Sequence, residues 1–244
     1  IEVYSIDEAF LDLQHTPNRN EAYEFGIYCR NTIRQWVGIP VRIGIAPTKT
    51  LTKVASHVAK NINGGTGVCC LSDQKDISHI LKTLPIKEVW GIGHNLSRQL
   101  NQLGVYSAYE LAQMDIRFIR TKFSVVLERT VRELRGESCI QIEDHSEPKK
   151  QIVVSRSFKS KIDNLNGLKP LISNFAVRAG EKLRYEKQKC SQVSVFISTS
   201  RFNKKLQHRG FDSFQLPFPV DDTRSILMGA NKALNAIFRK GYPY

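Results

Sequence analysis

The sequence is more informative at first for what it lacks. No stretch approaches the roughly 18 consecutive apolar residues of a membrane span, so no transmembrane helix is expected. The opening Ile1-Glu2-Val3-Tyr4 has neither a basic region nor a long apolar run, so it is not expected to be a signal peptide. Initiator methionine is missing too, and the chain starts inside a strand-like pattern, so a fragment truncated at both ends is expected. The five cysteines are Cys29, Cys69, Cys70, Cys139 and Cys190, with no Cys-x-x-Cys among them. That odd, scattered set argues against structural zinc and a disulfide framework, and fits a reducing cytoplasm. No G-x-x-x-x-G-K-[ST] string is present, which excludes a P-loop. Internal repeats and low-complexity segments are also absent.

What is there begins with charge. Residues 1–148 carry 17 basic and 17 acidic side chains, whereas residues 149–244 carry 19 and 6, so the whole net charge of +13 lies in the last part. Such asymmetry points to a polyanionic partner. Nucleic acid fits better than an anionic membrane surface, because the basic residues are interleaved with strand patterns and no apolar anchor lies beside them.

The stretch that organises the rest is Tyr4-Ser5-Ile6-Asp7-Glu8-Ala9-Phe10-Leu11-Asp12-Leu13. Two adjacent carboxylates sit in a β-prone, largely apolar run. No Lys or Arg lies nearby in sequence, so a metal is the natural counter-charge. Mg²⁺ suits a few carboxylate oxygens completed by substrate phosphates. In a straight strand Asp7 and Glu8 would face opposite ways, and only a bend such as a hairpin tip would let them share an ion. The plain alternative is two solvated charges at a strand end.

The string Ser5 to Asp12 resembles the palm signature of the Y-family (translesion) DNA polymerases. The resemblance implies a hairpin whose Asp7 and Glu8 are catalytic metal ligands, with Asp12 structural. Further along, Leu51, Val54, Ala55, Val58 and Ala59 form a buried stripe, and Lys49, Lys53 and Lys60 fall together on the opposite side, suited to a phosphate chain or to solvent. The stretch Gly44 to Ser56 with Ala59-Lys60 resembles the second palm signature, which gives Lys60 the role of nucleotide-binding residue on the incoming triphosphate.

Beyond Pro85, Val89-Trp90-Gly91-Ile92-Gly93 with Leu100, Leu103 and Gly104 reads as two helices flanking a tight turn. Glycines let backbone N–H groups approach an anion, and a helix N-terminus adds positive potential. The pattern resembles a helix-hairpin-helix, making Gly91 and Gly93 candidate DNA-binding residues. A plain αα-turn remains the alternative, and His94 reads as a surface residue. The charges of residues 128–135 read as a solvated helix face, and residues 128–136 resemble the UmuC-like branch of the family.

Past a polar linker at residues 143–150, a strand is expected at Ile152–Lys159. A helix striped by Leu165 to Leu183 follows, then strands at Val193–Thr199 and Phe211–Leu216, and a last helix capped near Asp221 or Asp222. This βαββα order resembles the Y-family little finger without its final strand. Candidate DNA-binding residues here are Arg156, Lys159, Arg201, Lys204 and Lys205, which would position a duplex without reading its bases.

The expected fold class is α+β, with a partial palm (1–84), a small all-α helix-hairpin-helix thumb (85–147) and an α/β little finger (148–244). The implied activity is error-prone, template-directed nucleotidyl transfer with two Mg²⁺ ions. Implied partners are primer–template DNA and a deoxynucleoside triphosphate, with a processed UmuD dimer and the sliding clamp expected in that branch. The family's first metal-binding Asp and its fingers have no counterpart here, so the polypeptide alone is expected to be inactive. A non-catalytic DNA-binding module is the other class of function, and a metal-dependent nuclease a third.

Overall fold

A computed structural model describes residues 1–13, 18–61, 66–143, 148–200, 202 and 206–244. The chain divides into two compact units, Ile1–His145 and Ser146–Tyr244. No helix among the described residues is long and apolar enough to cross a membrane.

The first unit starts with β1 (Glu2–Val3) and β2 (Ala9–Phe10), paired antiparallel. Helix α1 (Arg19–Val37) starts on a capping box in which Asn18 and Glu21 satisfy each other's backbone, and ends at Gly38, whose φ of 74° is the left-handed stop that glycine allows. Strand β3 (Ile43–Ile45) leads into α2 (Lys49–Asn61), and β4 (Val68–Cys70) returns parallel to β3. Helix α3 (Gln74–Thr83) completes the expected ββαβαβα order. Gly44, at the middle of β3, lies directly on the backbone of α2.

A 3₁₀ turn, Ile86–Glu88, follows Pro85, and α4 (His94–Gln102) follows Gly93. One of the two helices expected to flank the Gly-x-Gly turn is therefore this single 3₁₀ turn, since Pro85 and Gly91 leave too little room for an α-helix. Three short helices come next: α5 (Ala108–Gln113), α6 (Ile116–Lys122) and α7 (Val125–Leu134). Their caps are Ser107, Asp115 and Ser124, each accepting from the backbone of the first turn. Leu51, Val54, Ala55, Ile77, Leu81, Leu100, Leu111, Ile119 and Val131 belong to one continuous core, so α2 is buried against residues on both sides of Pro85.

Helix α7 departs from the solvated face expected of it. Glu128 is buried between Arg120 and Arg132, and Arg135 donates to the carbonyls of Ala112 and Met114. Glu133 is fully buried, and its carboxylate accepts from the amides of Thr50 (3.0 Å), Cys139 (2.7 Å) and Ile140 (3.0 Å). One side chain thus caps the start of α2 and fastens the segment that leaves α7. Losing a buried acceptor strands its donors at roughly 1–3 kcal/mol each. Glu133→Gln, which turns an amide group toward those donors, is expected to lower unfolding free energy by about 2 kcal/mol in urea titration.

The second unit comprises α8 (Leu165–Tyr185), β5 (Cys190–Ser198), β6 (Arg209–Val220) and α9 (Thr223–Ile237). Leu168, Ile172, Val195, Ile197, Leu216, Ala230 and Leu234 form its core, where α9 packs on the β5–β6 ladder and α8 packs against α9. Asp222 caps α9. The expected strand at Ile152–Lys159 joins no ladder: Ile152 and Phe158 pack against this core, but the backbone between them pairs with no strand among the described residues. At the end of the chain, Tyr244 and Ile162 exchange both backbone hydrogen bonds.

Candidate functional site

The Asp7–Glu8 pair sits at the tip of the β1–β2 hairpin, where Val3 pairs with Ala9 and the amides of Tyr4 and Ser5 both donate to the Glu8 carbonyl at 3.0 Å. The bend at residues 5–7 interrupts regular strand geometry at this point. Both are exposed, and Ser5 Oγ donates to Asp7 Oδ1 at 2.5 Å.

The hairpin is fastened to α2 by two lysines. Lys49 Nζ, almost fully buried, pairs with Glu2 and donates to the Gln141 carbonyl at 2.6 Å. Lys53 Nζ lies 2.6 Å from Glu8 Oε2 and faces the rings of Tyr4, Phe10 and Trp90 at 4.8, 5.5 and 5.8 Å. Those rings touch one another, and Trp90 Nε1–H donates to the Tyr4 hydroxyl.

Two expectations change here. Glu8 does have a cationic partner, supplied from a distant point in the chain, so a metal is not the sole available counter-charge. Nor do Lys49, Lys53 and Lys60 form one open cationic face. The first two are committed to the hairpin, and Lys60 alone of the three is exposed, about 10.5 Å along the helix from Lys53 at 1.5 Å per residue. No cluster of three or more His, Cys, Asp or Glu side chains suited to a metal exists among the described residues. The donor chemistry of the tip still fits a hard cation, with two adjacent, exposed carboxylates and, among the described residues, Asp7 engaged by the Ser5 hydroxyl alone.

Burial opposes ionisation of Glu2, but Lys49 and the Glu143 amide outweigh it and hold its carboxyl below the ordinary value of 4.5. A depressed folded-state value contributes stability that is present above the ordinary value and is lost as the pH falls below it. Acidification below pH 4.5 is therefore expected to loosen the hairpin base, read as a change in Trp90 emission in a Trp36→Phe background. Glu2→Gln is expected to show that emission already at neutral pH and to flatten the acid transition.

At the Gly-x-Gly turn, Gly91 has φ of 84°, and a Cβ on Gly93 would meet nothing within 4 Å. Gly91, Gly93, His94 and Asn95 are exposed, and no side chain caps α4. The first amides of α4 therefore point outward, the arrangement an anion requires.

In the second unit Arg156 and Lys159 are exposed on the unpaired segment, while Lys149 pairs with Glu186. Arg201, Lys204 and Lys205 lie outside the described residues. Not anticipated was the outer face of the ladder, where Phe196 opposes Phe211 and Ser194 hydrogen-bonds Ser213. Both rings are more than half exposed. The alternation Ser194-Phe196-Ser198 against Val193-Val195-Ile197 was the available signal.

Comparison with known proteins finds the impB/mucB/samB family at residues 1–57, the IMS family HHH motif at 75–105, and the impB/mucB/samB family C-terminal domain at 149–244. Protein ImpB of Salmonella typhimurium is 44% identical over 248 residues, covering 100% of this chain and 58% of that protein. Protein UmuC of Salmonella typhimurium is 40% identical over 246 residues, with the same coverage. The chain thus spans 58% of the length of these relatives. Among solved structures, a Y-family DNA polymerase chimera of Dbh and Dpo4 shares the fold with a TM-score of 0.72 and 18% identity, over 99% of this chain and 68% of that one.

Proposed function

We propose, from the premise that this chain belongs to the impB/mucB/samB family of Y-family DNA polymerases, that it is the catalytic-carboxylate, thumb and little-finger portion of a longer translesion polymerase. The observation that supports this reading is the hairpin tip, where the consecutive residues Asp7 and Glu8 are both exposed and Glu8 meets Lys53 on the helix that bears Lys60. Asp7 and Glu8 would hold the catalytic divalent ions, Mg²⁺ by their hard oxygen chemistry. When bound, such ions lower the charge barrier to attack of a primer 3′-hydroxyl on an α-phosphate. Lys60 would offset the charge of the incoming triphosphate.

Within this reading, residues 1–84 act as a partial palm and 85–147 as a thumb whose Gly91–Gly93 turn lays backbone amides on a DNA phosphate. Residues 148–244 act as a little finger that follows the duplex electrostatically. A processed UmuD dimer and the sliding clamp are partners of the same proposal. The test is primer extension by the longer polypeptide with both carboxylates replaced.

The duplex contact has its own test. Each neutralised phosphate contributes ~0.9 to the slope of log affinity against log salt. Arg156→Ala with Lys159→Ala is expected to lower that slope by about two and to weaken all sequences alike, measured by fluorescence anisotropy at several salt concentrations.

The second reading, a DNA-binding module without catalysis, is favoured by one observation: Glu8 already has Lys53 as its partner. In that case carboxylate substitutions leave synthesis by the longer protein intact.

A further inference from the structure

The Glu8–Lys53 pair is unequal. The Lys53 side chain is only 18% exposed, walled by three rings, whereas the Glu8 side chain is 47% exposed. An ammonium over aromatic faces is held by their negative potential and does not depend on a carboxylate to stay in place. The carboxylate has no comparable hold: Oε2 meets Lys53, and no other partner of either oxygen is recorded among the described residues.

We propose that Lys53 is a positioning residue that serves as the resident counter-cation of the carboxylate hairpin. Its ammonium neutralises Glu8 while no divalent ion is bound. On metal binding Glu8 turns from it, and the Tyr4–Phe10–Trp90 cage retains the ammonium. This deepens the reading that Asp7 and Glu8 bind metal, and rests on it. The consequence is an affinity for divalent ions set lower than two adjacent carboxylates would give by themselves. A divalent ion must compete with a unit positive charge that is already in contact, and it then binds beside that charge. Trp90 reports the exchange, because its ring lies 5.8 Å from the ammonium and its indole N–H is bonded to Tyr4.

The experiment uses the 244-residue chain with Trp36→Phe, which leaves Trp90 as the sole tryptophan. Trp36 is exposed, so its loss should be tolerated. Mn²⁺ is titrated, free Mn²⁺ is counted by electron paramagnetic resonance, and Trp90 emission is followed in parallel. Mn²⁺ is expected to shift Trp90 emission along the binding curve. Lys53→Met keeps the apolar stem without the charge and is expected to bind Mn²⁺ roughly tenfold more tightly, the scale of removing one unit charge close to a divalent ion in partly screened water. Lys53→Arg, which keeps the charge, should stay within about twofold of the parent. Lys53→Gln provides the same neutral comparison should the methionine variant fail to fold.

Unchanged or weaker binding in the neutral variants, with binding still lost in Asp7→Ala, overturns the proposal and leaves the metal reading standing. Absence of Mn²⁺ binding in parent and variants alike overturns both.

Discussion

Replacing Asp7 and Glu8 together by alanine in the longer polypeptide that carries this chain is expected to reduce primer extension at least about a thousandfold, the scale of losing metal-assisted charge stabilisation. Affinity for primer–template DNA should change by less than about twofold, since phosphate contacts come from cationic side chains and backbone amides. Folding should survive, because both carboxylates are exposed at a hairpin whose base is held independently by Glu2 and Lys49. Primer extension with gel readout, paired with anisotropy on the same DNA, separates the two effects. Synthesis that persists in the double variant would remove Asp7 and Glu8 from the chemistry and leave the DNA-binding module as the better description.

Gly44→Ala is expected to be the most damaging single methyl in the first unit. A Cβ there would stand 2.3 Å from the Thr52 carbonyl oxygen and 2.4 Å from the Ser56 amide nitrogen. Both atoms are backbone, so no rotamer change relieves the clash, and α2 must lift from β3. Lifting α2 opens the core at Leu51, Val54 and Ala55 and displaces Lys49 and Lys53 from the hairpin. Overpacking normally costs 1–3 kcal/mol, and an immovable backbone neighbour puts this case at about 3 kcal/mol or more. Urea unfolding measures it. Gly93→Ala, with open space around the new methyl, is the comparison and should cost under about 1 kcal/mol as a lost glycine N-cap. Equal effects at the two positions would mean that α2 is not seated on β3 as described.

Much of the local structure could be read in advance because its causes are local. Asn18, Ser107 and Asp115 were legible as caps, and the last cap was narrowed to Asp221 or Asp222, since a side chain that satisfies an amide three residues away leaves its mark within one turn of sequence. The hairpin at Asp7 and Glu8 was legible through the resemblance of Ser5 to Asp12 to the palm signature, since the two charges by themselves left a solvated strand end equally open. The strand expected at Ile152–Lys159 failed for the converse reason: alternation records a half-buried extended chain, and Ile152 and Phe158 are that, but a ladder also needs a partner, which no local pattern specifies. Glu128 and Glu133 were misjudged as solvated because charge on a helix signals exposure only until a distant partner appears. Those partners include Arg120 for Glu128 and the Thr50 amide for Glu133.

The chain's own order of residues determined most of the element succession, the net charge of its last part, the family to which it belongs, and the carboxylate pair itself. Tertiary structure alone decided what that pair faces. Lys53 is 45 positions from Glu8, and Trp90 and Tyr4 are further apart still, yet seating α2 beneath the hairpin brings ammonium, carboxylate and rings within 6 Å. Charges that far apart in sequence leave no periodic trace. Only the burial of α2 against both flanks of its core gives them a common place.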